Sequence, residues 1–508
     1  MRDRVDVLVV GGGIHGACVA RDAATRGLTV ALLEQADLAS GTSSRSSKLI
    51  HGGLRYLETG QFGLVREALA ERSILLATAP HLVRPQPFLL PFDGRGGRPE
   101  WLVRFGLTLY DQLARRSGRS GRSGLPRHRW LGPAEALALE PGLPPEGLRG
   151  AALFHDAQMD DARLVVANAV AAGRAGADIR TRTRVTGLES LHPEGSGWRA
   201  LTDHGEAIEA RVVVNAAGPW ADAMRRLASP GCAPALRPTR GTHVVVPRLT
   251  HTHALLLLAR RDRRVFFVVP WGSRSLVGTT DVDHAGPPEG VSPATEDVRY
   301  LWDEIAARWP ERSSSLPSET GRVFAGLRSL VRTDSRVPWR NTREARMLEE
   351  RGVLTLVGGK FTTARRLAER TVDRVIQLAA SGATTGTGAA RTVGPCRTAT
   401  DPLPGGEERE RAIRERAQAK PGIVSGLRQA EVAYAVDCEF ARSIADVLWR
   451  RTGLWLDRHA ALSVAETVAD WMAPVLGWSP AERATQLEEF RAECAAEERW
   501  IAEAAFAP

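Results

Sequence analysis

Glycines at positions 11, 13 and 16 lie between a hydrophobic run, Val5 to Val10, and a small-residue run, Ala17 to Thr25. That spacing brings backbone N–H groups onto a pyrophosphate. Gly11 permits the tight turn out of a strand, Gly13 lets the main chain approach the phosphates, and Gly16 lets helix and sheet pack closely. The start of the helix offers free N–H donors to the anion. A second strand, 28–33, ends on Glu34, where a carboxylate accepts ribose hydroxyls and repels a 2′-phosphate, which disfavours NADP. Together these pieces form a βαβ cradle for the ADP half of a redox cofactor.

The cradle alone suits NAD or FAD, and two later strand ends favour FAD. Val212-Val213-Val214 runs into Asn215-Ala216-Ala217-Gly218, which suits a second approach of backbone to the same dinucleotide. Val353 to Val357 runs into Gly358-Gly359-Lys360-Phe361-Thr362-Thr363 and a helix, 364–380. The N-terminal dipole of that helix would face negative charge on a reduced flavin. Three such junctions over about 350 residues imply one long cofactor threaded through a composite domain, whereas a nicotinamide site usually stays within one contiguous half. Between them, the loop containing Ser43, Ser44, Ser46, Ser47, Lys48, Gly52 and Gly53 reads either as a wrap around a diphosphate or as a solvated polar loop. Lysine occurs only at 48, 360 and 420, and two of the three stand beside glycine pairs.

The positioning elements fall into two or three domains, as 508 residues allow. Periodicity predicts helices over 62–79, 98–116 and 162–175, and strand material over 177–190. Short β runs at His243 to Pro247, Val265 to Pro270 and Ser275 to Thr280 predict an antiparallel sheet. Residues 381–408 read as a linker and 409–508 as helical. The segment 115–124 is a basic, low-complexity loop.

Hydrophobic content of 43% and charged content of 25% are those of an ordinary soluble protein. No run of about 18 apolar residues is present, so no spanning helix is expected. The N-terminus enters a strand at once, so no signal peptide is expected. Five scattered cysteines point to a reducing cytoplasm without disulfides, and no metal site is expected. A net charge of +9 favours anionic partners. The basic residues are not interleaved with aromatics, so nucleic acid is not expected among them.

Several segments carry a more specific resemblance: Ser43-Ser44, Ser46 to Leu57, Asp160-Asp161-Ala162-Arg163-Leu164, Gly278-Thr279-Thr280-Asp281, Gly358-Gly359-Lys360 with Thr362-Thr363, Leu403-Pro404-Gly405-Gly406 and Leu448 to Thr452. In these the chain resembles the FAD-dependent glycerol-3-phosphate dehydrogenase family, within the group of D-amino-acid and sarcosine oxidases. The resemblance implies an α/β fold: an FAD-binding Rossmann-like domain of the glutathione-reductase/D-amino-acid-oxidase type, an antiparallel-sheet substrate domain and a helical C-terminal domain. The expected division is 1–80 and 81–220 for the first parts of the FAD domain. Residues 221–350 form the substrate domain, 351–385 the last part of the FAD domain and 386–508 the helical domain.

The activity implied is oxidation of sn-glycerol 3-phosphate to dihydroxyacetone phosphate. Hydride passes from C2 to flavin N5 and electrons go on to membrane quinone, with FAD held non-covalently. The implied cofactor contacts are Gly11, Gly13, Gly16, Glu34, Ser43, Ser44, Ser46, Ser47, Lys48, Gly52, Gly53, Val185, Ala217, Gly218, Gly358, Gly359, Lys360, Phe361 and Thr362. By the same resemblance Arg55, Arg328 and Arg343 hold the phosphate with Tyr56, and Lys360 lies near the flavin. A base with pKa near the working pH is favoured, which points to His243 first and His51 second. Alternatives are a soluble oxidase making peroxide, or an amine or amino-acid oxidase of the same fold. His15 stands where the family has a small or amide residue, Ser329 where it has Pro, and Phe361 where it has Leu.

Delivery of electrons to quinone implies a cytoplasmic enzyme held peripherally on the inner face of the cytoplasmic membrane. The helix 98–116 and the Arg-Ser-Gly loop, with Arg98, Arg115, Arg116, Arg119 and Arg122, are the expected contact with anionic lipid. The oligomeric state stays open, a homodimer included.

Overall fold

The computed structural model describes residues 4–94, 99–117, 125–192, 197–332, 345–381 and 393–506. Strand β1 (Arg4–Val10) is buried along most of its length, as expected of a parallel strand covered on both faces. It leads through the glycines to helix α1 (Ile14–Thr25) and back to β2 (Val30–Leu33). Helix α1 is built from small residues. Ala17, Ala20, Ala23 and Ala24 are all buried between helices Asp161–Arg174 and Ala364–Ser381. Short side chains let these helices approach closely, and Gly16 lets α1 close on the turn that precedes it: a Cβ there would lie 1.9 Å from the Gly11 carbonyl oxygen.

The first sheet runs in the order Arg346–Glu350, Val353–Val357, Ala207–Asn215, β1, β2, Asp178–Arg180. Its register is what assembles a site. Val10 pairs with Leu33 on one side and with Asn215 on the other, and Asn215 pairs with Thr355. The three glycine junctions therefore leave the sheet together at its carboxyl edge, the edge on which α/β folds bind ligands.

Among the described residues the second sheet has ten strands and is mostly antiparallel. At its heart Leu236–Pro247 lies between Arg274–Gly278 and Arg322–Val331. It also takes in Val83–Phe92, Arg129–Leu131 and Gly150–Met159, strands that lie within 81–220 and were expected in the FAD domain. The second sheet is thus shared by two stretches of chain. Alternation over Val83–Phe92 is blurred by prolines at 85, 87 and 91, which hid this strand from the periodicity.

Helices α2 (Phe62–Thr78) and α3 (Glu100–Ser117) pack on each other at one side. Five helices follow residue 405: Gly406–Ala417, Gln429–Cys438, Ile444–Arg450, Arg458–Leu476 and Pro480–Phe506. This helical region is clamped to the cofactor domain by buried charge. Both Asp37 oxygens accept from Arg451 at 2.7 Å, and Glu439 takes both Arg163 nitrogens at 2.6 Å. Asp37 lies three residues beyond Glu34, so the C-terminal helices fix the loop that follows the second strand.

Candidate active site

At the first junction the geometry is that of a dinucleotide cradle. Gly11 has φ +108°, and a Cβ there would lie 2.6 Å from the Ala216 carbonyl oxygen. Gly13 begins α1 without a side-chain cap of its own. Ser43 supplies one instead, its hydroxyl accepting the Ile14 N–H at 3.0 Å. Glu34 ends β2 with one carboxylate oxygen on the Gly12 N–H (2.6 Å) and the other on the Ala36 N–H (2.9 Å). Burial raises its pKa above the ordinary carboxylate value against the pull of those amides. The Ala217 N–H is held by Asn215 Oδ1 at 3.2 Å, and Gly218 has φ +54°. Val185 is buried in the cluster that also holds Val10 and Leu33 and against which Ala217 packs. Bare glycine walls, a helix N-terminus and a carboxylate at the strand end fit the ADP half of FAD.

The serine loop divides its labour. Ser47 reaches His243, Oγ to Nε2 at 2.9 Å. Ser46 and Lys48, expected as cofactor contacts, turn instead to Asp161. The Ser46 hydroxyl donates to Oδ2 at 2.7 Å, and the Lys48 ammonium forms a buried ion pair with Oδ1. Lys48 also donates to the Ser44 carbonyl at 3.3 Å and lies 4.2 Å from the Trp455 ring centroid. The lysine locks the loop. Asp161 is a residue that sequence reasoning missed, although it stood in a quoted motif, because a carboxylate at the start of a helix reads first as a dipole partner.

His243 lies on Leu236–Pro247 opposite Gly278 and Phe324. A Cβ at Gly278 would sit 2.2 Å from the imidazole Cδ2, so only glycine leaves room for the ring. Its other face stacks on Phe324, with centroids 5.2 Å apart. Nδ1 is buried with no hydrogen-bond partner. Burial first, then the charges of Arg328 and Lys48, push the pKa from 6.5 down to about 3. The sequence favoured a base poised near the working pH. The fold instead holds an imidazole that stays neutral throughout the neutral range, with its proton affinity lowered by burial and the two cations.

Arg328 is aimed by its neighbours. Its guanidinium donates to Asp281 Oδ1 at 3.0 Å, Thr279 Oγ1 at 2.8 Å and the Thr280 carbonyl at 3.0 Å. A Cβ at Gly241 would lie 2.3 Å from Nη2. Position 241 is two residues from His243 on the same strand, hence on the same face. The Thr279-Thr280-Asp281 motif thus orients an arginine, a role its sequence did not reveal.

A second group gathers around the third junction. Gly358 and Gly359 have φ +73° and +90°. Thr362 Oγ1 accepts the His51 N–H at 3.3 Å, which ties the two junction loops together, and Phe361 packs against the neighbouring core. Lys360 Nζ lies 3.6 Å from the centroid of the Tyr56 ring. Gly52 and Gly53 are buried in the turn beneath. Arg55 lies in the short helix Leu54–Thr59, its side chain outside the described residues, and Arg343 lies wholly outside them.

His15 meets this group. A Cβ at Gly359 would sit 2.8 Å from its Cε1, and burial lowers its pKa from 6.5 to about 4. The depressed value has a stability consequence. The unfolded chain takes up a proton near pH 6.5, whereas the folded chain resists until about pH 4. Stability is therefore lost progressively as pH falls through that interval. Urea titrations of wild type and His15→Asn between pH 7 and 4 should show the stability gap shifting in favour of the variant as acid is added. A pH-independent gap removes His15 as a source.

The chain matches the model of the FAD dependent oxidoreductase family over residues 6–374, and the C-terminal domain of alpha-glycerophosphate oxidase over 424–483. It is 37% identical over 504 residues to glycerol-3-phosphate dehydrogenase of Pseudomonas aeruginosa, covering 89% of this chain and 92% of that protein. It is also 37% identical over 516 residues to D-erythritol 1-phosphate dehydrogenase of Brucella abortus, covering 92% and 97%. The crystal structure of glycerol-3-phosphate dehydrogenase from Bacillus halodurans, complexed with FAD, superposes with a TM-score of 0.72 at 26% identity, covering 99% of this chain and 96% of that one. With the cradle above, these relations make FAD the cofactor. The chain belongs to the FAD-dependent oxidoreductase family, in its glycerol-3-phosphate dehydrogenase branch.

Proposed function

We propose that this chain oxidises the C2 hydroxyl of sn-glycerol 3-phosphate, giving dihydroxyacetone phosphate, and passes the two electrons to a membrane quinone. The observation that carries the reading is that His243 and Arg328, on neighbouring strands, share one face of the sheet: an uncommitted ring nitrogen and an oriented guanidinium. When bound, FAD supplies the acceptor for the hydride that leaves C2. His243 takes the hydroxyl proton, with His51 as the second candidate. Arg328 holds the phosphate with Arg55, Arg343 and Tyr56. Lys360 adds positive charge against the Tyr56 ring.

Anaerobic bleaching of the bound flavin tests the substrate class. Glycerol 3-phosphate should bleach it fully and a four-carbon polyol phosphate more slowly, whereas glycerol, sarcosine and D-amino acids should leave it yellow. Bleaching by sarcosine or a D-amino acid overturns the reading in favour of an amine oxidase.

The quinone acceptor calls for attachment at a membrane. Among the described residues no helix is long and apolar enough to cross one. Helix α3 buries Leu107, Tyr110 and Ala114, while Trp101 (68%) and Phe105 (64%) stand exposed, with Phe62 of α2 at 49%. Exposed aromatics on adjoining helices suit the headgroup layer, and Arg115 and Arg116 end α3 beside them. Of the other expected arginines, Arg98, Arg119 and Arg122 lie outside the described residues. Each cation near an anionic leaflet contributes about 1 kcal/mol. The protein should float with anionic vesicles at low salt and less at high salt, and Trp101→Ser with Phe105→Ser should release it. Flotation untouched by that double variant moves the contact elsewhere on the surface.

A further inference from the structure

A second set of buried charges near the candidate site gathers around one backbone amide, that of Gly52. Arg72 of α2 and Asp156 of the strand Gly150–Met159 form an ion pair with 1% and 4% of their surfaces exposed. Tyr110 of α3, 2% exposed, donates to Asp156 Oδ1 at 2.8 Å. Its oxygen accepts the Gly52 N–H, also at 2.8 Å, and the same N–H approaches Asp156 Oδ1 at 3.2 Å. Arg72 further donates to the His155 carbonyl at 3.1 Å. Burial, then Asp156, raises the phenol well above its ordinary pKa, so it stays a donor.

Well-packed apolar side chains of the same volume often give equal or greater stability than a buried ion pair. What this cluster adds is a fixed position. A Cβ on Gly52 would lie 2.4 Å from both Leu69 Cδ2 and the Tyr110 hydroxyl. Gly53, with φ +78°, has the Tyr56 ring 2.4 Å and Lys360 Nζ 3.5 Å from where its Cβ would be. The amide that Tyr110 grips is thus one residue from the glycine on which Tyr56 and Lys360 meet. A shift of this turn moves both side chains together.

We infer that Tyr110, backed by Asp156 and Arg72, is a positioning residue for the phosphate end of the site, acting through the Gly52–Gly53 turn on Tyr56 and Lys360. The inference rests on the reading of Tyr56 and Lys360 as polyol-phosphate contacts. The Tyr110 hydroxyl adds a hydrogen bond to the apolar packing by which the helix that carries Trp101 and Phe105 meets the Leu54–Thr59 segment.

Tyr110→Phe in the FAD-loaded protein keeps the ring and removes that hydroxyl. FAD affinity should hold, while KM for glycerol 3-phosphate rises roughly tenfold, the scale of one neutral hydrogen bond, with kcat changed far less. The dissociation constant of inorganic phosphate, read from its perturbation of flavin absorbance, should rise by the same factor. Glu304→Gln is the control for simple destabilisation. Its buried carboxylate pairs with Arg308 and accepts the Arg260 N–H, and it belongs to neither the turn nor the site. That variant should lower Tm and leave KM and phosphate binding alone. Tyr110→Phe behaving like Glu304→Gln, with Tm lowered and both constants unmoved, overturns the inference. A wild-type flavin that binds inorganic phosphate but is not bleached by glycerol 3-phosphate overturns the functional reading instead, and the phosphate titration of Tyr110→Phe still decides the positioning role.

Discussion

His243→Gln should slow reduction of the bound flavin by glycerol 3-phosphate about 10²- to 10⁴-fold, the usual weight of a general base, while FAD and substrate still bind. Glutamine fills much of the imidazole's space over Gly278 and against Phe324, so the strand face survives and only the proton acceptor is lost. The depressed pKa makes a second, sharper expectation. A free imidazole of pKa 6.5 would give an acid limb through neutrality, but the buried ring titrates near 3. Reduction in the wild type should therefore stay flat as pH falls from 8 to 6, with any limb from this group lying lower still. Two of the three causes of that depression are burial and Arg328. Removing the guanidinium should move the limb upward, toward neutrality. Stopped-flow reduction across pH 4–8 reads all of this. Normal rates in His243→Gln, with collapse in His51→Ala, would exchange the two roles.

The cofactor half of this molecule was legible in its sequence, and the reasons are local. A Gly-x-Gly-x-x-Gly turn, alanine-rich α1 and Glu34 at a strand end each state their geometry within a few residues. The meeting of three junctions at one sheet edge could be read because each is a strand run stopped by glycine. The half built on the second sheet was harder. Its sheet is assembled from segments as far apart as Val83–Phe92 and Arg322–Val331, and no local pattern announces which distant strands pair.

The same contrast holds among side chains. Lys48 looked like an anion binder beside a glycine pair, yet Asp161, more than a hundred residues away in sequence, takes its charge. Tyr110 lies within the helix predicted over 98–116, and only the fold brings its hydroxyl to Gly52. The pKa of His243 is likewise a property of its surroundings: the residue type announced a base, while burial and two distant cations decide its proton affinity.

Arg328→Ala should cost glycerol 3-phosphate roughly 2–4 kcal/mol, about 30- to 1,000-fold in kcat/KM, because a desolvated phosphate loses a charged donor. The guanidinium is oriented before substrate arrives. Asp281, Thr279 and the Thr280 carbonyl fix its plane, and Gly241 leaves it space to lie against the strand. Lysine cannot reproduce that fork, so Arg328→Lys should recover only part of the loss. Asp281→Asn should give a milder version, since it frees the arginine without removing it. The comparison that assigns the role is glycerol against glycerol 3-phosphate. An arginine that binds phosphate contributes nothing to glycerol, so the preference for the phosphorylated substrate should collapse in Arg328→Ala while the slow glycerol rate holds. An arginine that acts only by depressing the pKa of His243 would change both substrates by the same factor. Equal losses would therefore leave Arg328 as an electrostatic neighbour of the base and move phosphate recognition to Tyr56 and Lys360 at the other junction.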